Sequence, residues 1–190
     1  AGEIRQLIDP ALGQRRGSRA WFRRVGVVYQ NPNCQLFMPT VAQEVAFAAK
    51  SEDFAREIME LFGIAHLLER HPHSLSEGQK RRVSIAAVAA SQPELLLLDE
   101  HTAALDPKTA AKVMELTDRI VTKEKLTTLM ITHNMRDAIQ YGSRLIMLHE
   151  GRVILDISGE EKKQLTVTDL LAQFAKVSGD EFASDRALLS

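Results

Sequence analysis

An α/β fold, with a mostly parallel sheet interrupted by a helical insert, is predicted by three observations on this 190-residue sequence. Leu95-Leu96-Leu97-Leu98 is a fully apolar strand ending in Asp99-Glu100. Its side chains point alternately to two faces, so both faces are expected to be covered, as in a parallel core. Strands and helices then alternate from residue 93 onward, while the block at 39–92 carries only helical signals.

Taken in order, Ala1 to Arg24 is basic, with Arg15, Arg16, Arg19, Arg23 and Arg24 close together. It reads either as a solvated loop and turn or as a phosphate- or RNA-binding patch. Val25-Gly26-Val27-Val28-Tyr29 is a β-rich strand ending at Gln30, and Asn31-Pro32-Asn33 turns the chain. Thr40 caps a helix expected to reach Lys50; Ser51 caps a second, with Glu52 and Asp53 in its first turn. Phe54, Ile58, Leu61 and Phe62 form that helix's apolar stripe and Gly63 closes it. Ser76 and Gln79 have the spacing of a capping box, opening a helix to about Ser91.

After the Leu strand, Asp106-Pro107 starts a helix to about Lys125. Thr127 to Thr132 is a strand, and Met135 to Tyr141 a helix stopped by Gly142. Leu145 to Leu148 and Val153 to Leu155 are strands joined by a Glu150-Gly151 turn. Thr166 to Lys176 is an amphipathic helix, followed by a polar tail.

Composition is ordinary for a globular chain, at 45% hydrophobic and 26% charged residues, and a net charge of −1 offers no global attraction to nucleic acid or anionic membrane. The single cysteine, Cys34, excludes an internal disulfide and fits a reducing compartment. No apolar run reaches the roughly 18–20 residues of a membrane span, and no secretory signal is evident at the start.

The chemistry concentrates at strand ends. Acids at the carboxyl end of a parallel strand lie where open α/β sheets bind ligands. Asp99 there suits Mg²⁺, and Glu100 suits a water attacking a phosphate, although acids also end buried strands for no further reason. His133 follows the next apolar strand and reads as a phosphate ligand or as a helix-capping surface group. Gln30 reads as a metal and water ligand or as an ordinary turn residue. Ser76 and Gly78 read as a helix cap or as an anion site with free N–H groups.

In this order, Gln30, Leu75-Ser76-Glu77-Gly78-Gln79, Leu95 to Glu100, Ala104-Leu105-Asp106 and His133, the chain resembles the ATP-binding subunits of ABC transporters over nearly its whole length. The resemblance implies a P-loop NTPase-type ABC ATPase core with a small helical subdomain. Residues 1–38 and 93–160 would form the α/β core, 39–92 the helical signature subdomain, and 161–190 a C-terminal helix and tail. It implies ATP and Mg²⁺ as cofactors. By it, Gln30 is the Q-loop glutamine, coupling the metal site to the helical subdomain, Asp99 is the Walker B aspartate at Mg²⁺, Glu100 the general base and His133 the switch histidine. Ser76, Gly78 and Gln79 belong to the signature motif, which contacts the γ-phosphate held by an opposite subunit, and Asp106 is the D-loop aspartate of the dimer interface. Glu77 departs from the usual Leu-Ser-Gly-Gly-Gln.

The sequence contains no Gly-x-x-x-x-Gly-Lys-Ser/Thr, the loop that cradles phosphates in this family. The core is therefore expected to be N-terminally incomplete, with strands left unpaired and ATP binding in cis very weak. Residues 25–50 and 74–90 are similar to energy-coupling-factor importers, and 134–190 to amino-acid importer subunits.

The expected function is an ATP-hydrolysing subunit of an ABC importer, inactive alone, located on the cytoplasmic face of the membrane. Its partners would be a second ABC ATPase subunit, as a homo- or heterodimer, and a membrane permease received near Phe37 to Val45; no nucleic acid is expected. The alternatives are a non-catalytic fragment lending its signature motif in trans, or a soluble ABC ATPase acting on nucleic acid or ribosomes. The 46 residues from Gln30 to Ser76 leave no room for the long coiled coil of the structural-maintenance type.

Overall fold

The computed structural model describes residues 24–178. Of the basic N-terminal run only Arg24 falls within them; the others, and the polar tail, lie outside the described residues. The chain divides into two compact units, Ala1–Ile131 and Thr132–Ser190.

The first unit is built on three parallel strands in the order β1-β2-β3: β1 Val25–Val28, β2 Leu95–Asp99 and β3 Thr127–Ile131. Val28 pairs with Leu98, and Asp99 with Ile131, so the strand ends expected to carry chemistry share one edge of the sheet. Arg24 enters β1 through a bidentate ion pair with Glu94 at 2.7–2.8 Å. On the outer edge of β1 the Gln35 side chain takes the place of a strand: its amide donates to Val27 O at 2.9 Å and accepts from Tyr29 N.

One face of the sheet is dry. Val28, Leu96 and Leu98 are buried there with Val83, Ile85, Ala86 and Ala89 of α3 (Glu77–Ala90) and Val113, Leu116 and Ile120 of α4 (Pro107–Glu124). Gly26 sets the spacing, since a Cβ there would lie 2.4 Å from Val88 Cγ1. The opposite face departs from expectation. Leu95 and Leu97 are half-buried and Leu129 and Ile131 exposed, because the core helices α3 and α4 join the other face.

The helical block contains α1 (Val41–Ala46) and α2 (Glu52–Leu61), capped by Thr40 and Ser51 as expected. In α1 the helix stops four residues before Lys50. The chain turns away there to bond Lys50 N to Ala90 O at 3.3 Å, tying it to the end of α3. In α2 Ile58 is buried, as is Phe62 at its end, and Phe54 and Leu61 pack half-buried against the same core. Short 3₁₀ turns at Ala65–Leu67 and Pro72–Ser74 complete the block, and another at Pro32–Cys34 precedes it.

The second unit holds α5 (Met135–Gln140), the antiparallel hairpin β4 (Arg144–His149) and β5 (Arg152–Ser158), then α6 (Gly159–Gln164) and α7 (Val167–Ser178). Glu150 and Gly151 have φ of 48° and 76°, the left-handed pair that a two-residue hairpin turn requires. The helix α6 is not legible in the sequence, since a Gly start and four charged residues carry no apolar period. It folds around Lys162, which is buried and donates to the carbonyls of Ile139 and, at 3.0 Å, Tyr141. Among the described residues no helix is long and apolar enough to cross a membrane.

Candidate functional site

The structure joins two of the sequence-predicted residues directly. Gln30, two residues beyond β1, donates its side-chain amide to Glu100 Oε2 at 2.9 Å. Glu100 leaves β2 with φ +41°, a left-handed conformation that costs a non-glycine residue of order 1–3 kcal/mol. Its backbone holds that turn: its N–H donates to Ile131 O at 3.0 Å, and its carbonyl accepts from Ala103 N at 2.9 Å. Asp99, the last residue of β2, is half-buried beside it.

Ser76 and Gln79 form the expected capping box at the start of α3. Gln79 N donates to Ser76 Oγ, and Ser76 N to Gln79 Oε1 at 3.0 Å. Gly78, in the first turn, faces α4: a Cβ would lie 2.5 Å from Thr109 Cγ2. Thr109 in turn donates its N–H to Asp106 Oδ1 at 3.0 Å, which makes Asp106 the N-cap of α4. Hydrogen bonds from the Thr109 side chain and backbone hold the Asp106 carboxyl below the usual carboxylate range. Gly78 and Asp106 thus meet through Thr109.

His133 belongs to the second unit. It precedes Asn134, whose side chain accepts from Arg136 N and Asp137 N as the cap of α5. Burial raises the Asp137 carboxyl pKa, and the neighbouring His133 partly offsets that rise.

The cations Lys80, Arg81 and Arg82 were given no role by the sequence. Lys80 is buried and pairs with Glu77 at 2.9 Å; Arg82 donates to Phe62 O and Gly63 O at the end of α2. Arg81, 3% exposed, reaches across to the Gln30 segment, donating to Tyr29 O at 2.6 Å and to Gln30 O. His101, 1% exposed, lies within electrostatic reach of Arg81, and burial followed by that positive charge lowers its pKa to about 4. Glu44 is also buried, accepting from Phe37 N and Met38 N at 2.8 Å each. The signal available for Arg81 was its helical spacing: positions 81, 84 and 85 share a face with the apolar positions of α3.

Among the described residues no cluster of three or more His, Cys, Asp or Glu side chains forms a self-contained metal cage. The oxygen donors present suit Mg²⁺ bound mainly through phosphate and water, which needs one or two protein ligands. Asp99 supplies a carboxylate at the strand end, and Gln30, its NH₂ engaged by Glu100, retains a carbonyl oxygen. The donor set therefore fits a Mg-nucleotide.

Comparison with known proteins agrees with this geometry. The ABC transporter family matches residues 1–103. The chain is 55% identical over 100 residues to the tyrosine transport ATP-binding protein of Clostridioides difficile (strain R20291), covering 53% of this chain and 40% of that protein. It is 44% identical over 150 residues to the energy-coupling factor transporter ATP-binding protein EcfA2 of Bacillus thuringiensis (strain Al Hakam), covering 73% of this chain and 50% of that protein. Its fold is similar to that of cbiO1 from Clostridium perfringens, part of the ABC transporter complex cbiONQ, with a TM-score of 0.68 at 32% identity over 82% of this chain and 64% of that one. The chain spans about half the length of these curated relatives or less. With the strand order, the capping-box helix and the Gln30–Glu100 contact, these matches place the chain in the ABC transporter family, with the fold of its ATP-binding core.

Proposed function

We propose that this chain supplies the hydrolytic half-site of an ATP-binding subunit in an ABC importer, and that by itself it binds ATP weakly. The observation that carries the reading is the 2.9 Å bond from the Gln30 amide to Glu100 beside Asp99. When bound, Mg²⁺ would neutralise phosphate charge, with Asp99 and the Gln30 carbonyl oxygen as its protein ligands. Glu100 would accept the proton of the attacking water, and Gln30 would orient that carboxylate. His133 would bond a terminal phosphate oxygen. Ser76, Gly78 and Gln79, at the positive end of a 14-residue helix, would face a nucleotide held by a second ATPase subunit, with Asp106 at the same interface. Weak binding in cis is inferred from the lack of a Gly-x-x-x-x-Gly-Lys-Ser/Thr loop in the 190 residues.

A membrane permease would dock at Phe37 and Phe47. Both rings are 64% exposed and meet edge-to-face at 5.1 Å, an apolar pair that Glu44 holds out by fixing the 37–38 backbone. By this reading the protein would work at the cytoplasmic face of a membrane. One relative is named for tyrosine transport and another for an energy-coupling factor transporter.

The test is titration of MgATP against the 190-residue chain, alone and with a complete ABC ATPase subunit. Binding only at millimolar ATP alone, with Glu100→Gln abolishing turnover at one site of the mixed dimer, is the expected result. A second reading, a non-catalytic partner lending Ser76 and Gly78 in trans, is favoured by the same missing loop. It predicts that Ser76→Arg silences the partner's turnover while Glu100→Gln changes nothing. Micromolar affinity of the isolated chain would defeat both forms of weak binding in cis.

A further inference from the structure

We propose that Arg81 is a positioning residue for the Gln30 amide: by bridging the backbone carbonyls of Tyr29 and Gln30 from α3, it holds that amide on Glu100. The inference deepens the proposed reading of Gln30 and Glu100 and rests on it. The connection runs from the capped start of α3, through Arg81 one turn further on, to the Gln30 backbone, its side chain, and Glu100.

Three observations separate this role from ordinary core filling. The segment that Arg81 grips is not held by packing: Tyr29, Gln30 and Asn31 are exposed, and a cavity of about 260 Å³ lies among Gln30, Glu77, Arg81 and Ala104. Arg81 contributes poorly to stability as a core group, since a charge 97% buried carries a desolvation cost and its Nε has no hydrogen-bond partner among the described residues. A second charge supports it. Glu77, one turn earlier on α3, acts favourably on the Arg81 cation.

The fork geometry matters. A guanidinium presents two N–H groups to two adjacent carbonyls, whereas a lysine ammonium is a point charge with no fixed fork. Arg81→Lys is therefore expected to preserve the fold and keep only part of the grip. Arg81→Met keeps the volume, loses both bonds and removes the buried charge.

The experiment reads the Gln30 side-chain NH₂ resonances in ¹⁵N spectra of the full chain without nucleotide, assigned by their loss in Gln30→Ala. Glu100→Ala defines where those resonances lie when the contact is broken. Arg81→Met is expected to move them to the Glu100→Ala position while the backbone resonances of α3 and α4 stay in place, and Arg81→Lys to move them part of the way. Gln30 resonances unchanged in a folded Arg81→Met protein would overturn the proposal. If Arg81→Met does not fold, Arg81→Lys decides: an unchanged Gln30 signal overturns the proposal, and an intermediate one supports it. A wild-type Gln30 signal already at the Glu100→Ala position also overturns it. The readout needs no ATP, so its failure is distinct from a failure of the nucleotide titration.

Discussion

Gly78, in the first turn of α3, lies against Thr109 of α4 so closely that a methyl group at position 78 would sit 2.5 Å from Thr109 Cγ2. Elsewhere in a helix, Gly→Ala stabilises by about 0.4–1 kcal/mol. Here the overlap reverses the sign, and Gly78→Ala is expected to destabilise by about 1–3 kcal/mol. Thr109→Ser removes the offending methyl while keeping the hydroxyl, so the double variant should return near wild type. Urea unfolding of both singles and the double gives the coupling energy; additivity would show that the two residues do not meet.

Glu44 is expected to govern the exposed Phe37–Phe47 pair. Its buried carboxylate is the acceptor for Phe37 N and Met38 N at 2.8 Å. Glu44→Ala leaves those donors without it and is expected to cost about 1–3 kcal/mol. Hydrogen exchange should quicken first at Phe37 and Met38 and spare α2; uniform acceleration would mean that Glu44 serves the whole block.

Much of this was legible in the sequence, for identifiable reasons. Period and caps placed the strands and long helices, because Thr40, Ser51, Ser76 and Asp106 each satisfy N–H groups of their own helix, which is local chemistry. Gln30 and Glu100 were each legible as strand-end residues, but the bond between them is seen only in the structure. What stayed hidden is long-range. Arg81 looks like a surface charge until Tyr29 O, 52 residues away, comes within 2.6 Å. Lys162 likewise belongs to no apolar pattern, and its helix exists around carbonyls more than 20 residues upstream. Even α1 ended early for a non-local reason, the bond from Lys50 to Ala90.

Lys162 is expected to control the second unit. Its ammonium donates to the carbonyls of Ile139 and Tyr141 at the end of α5, where a cation is favourable to the helix dipole. Burial pulls its pKa below the usual lysine value, so the hydrogen bonds rather than exposure justify its place. Lys162→Met is expected to destabilise by about 1–3 kcal/mol and to speed exchange at Tyr141, whose N–H closes α5 on Asp137 O. Exchange at Tyr141 equal to wild type would remove Lys162 as the cap.

His101 gives the first unit a defined response to acid. Unfolded, its imidazole titrates near 6.5; folded, burial and then the Arg81 cation lower that to about 4. Between these values the unfolded chain binds more protons, so stability rises with pH through this window. The contribution is complete above pH 6.5 and is lost as pH falls toward 4, amounting to about 3 kcal/mol at 1.36 kcal/mol per pH unit. The charged groups acting on it include Arg81, itself under the favourable influence of Glu77 on the same helix. Urea midpoints measured from pH 7.5 to 4.5 in EDTA should therefore fall steeply for the wild type, and less so for His101→Gln, which does not titrate. Equal slopes in the two proteins would mean that another group sets the acid response.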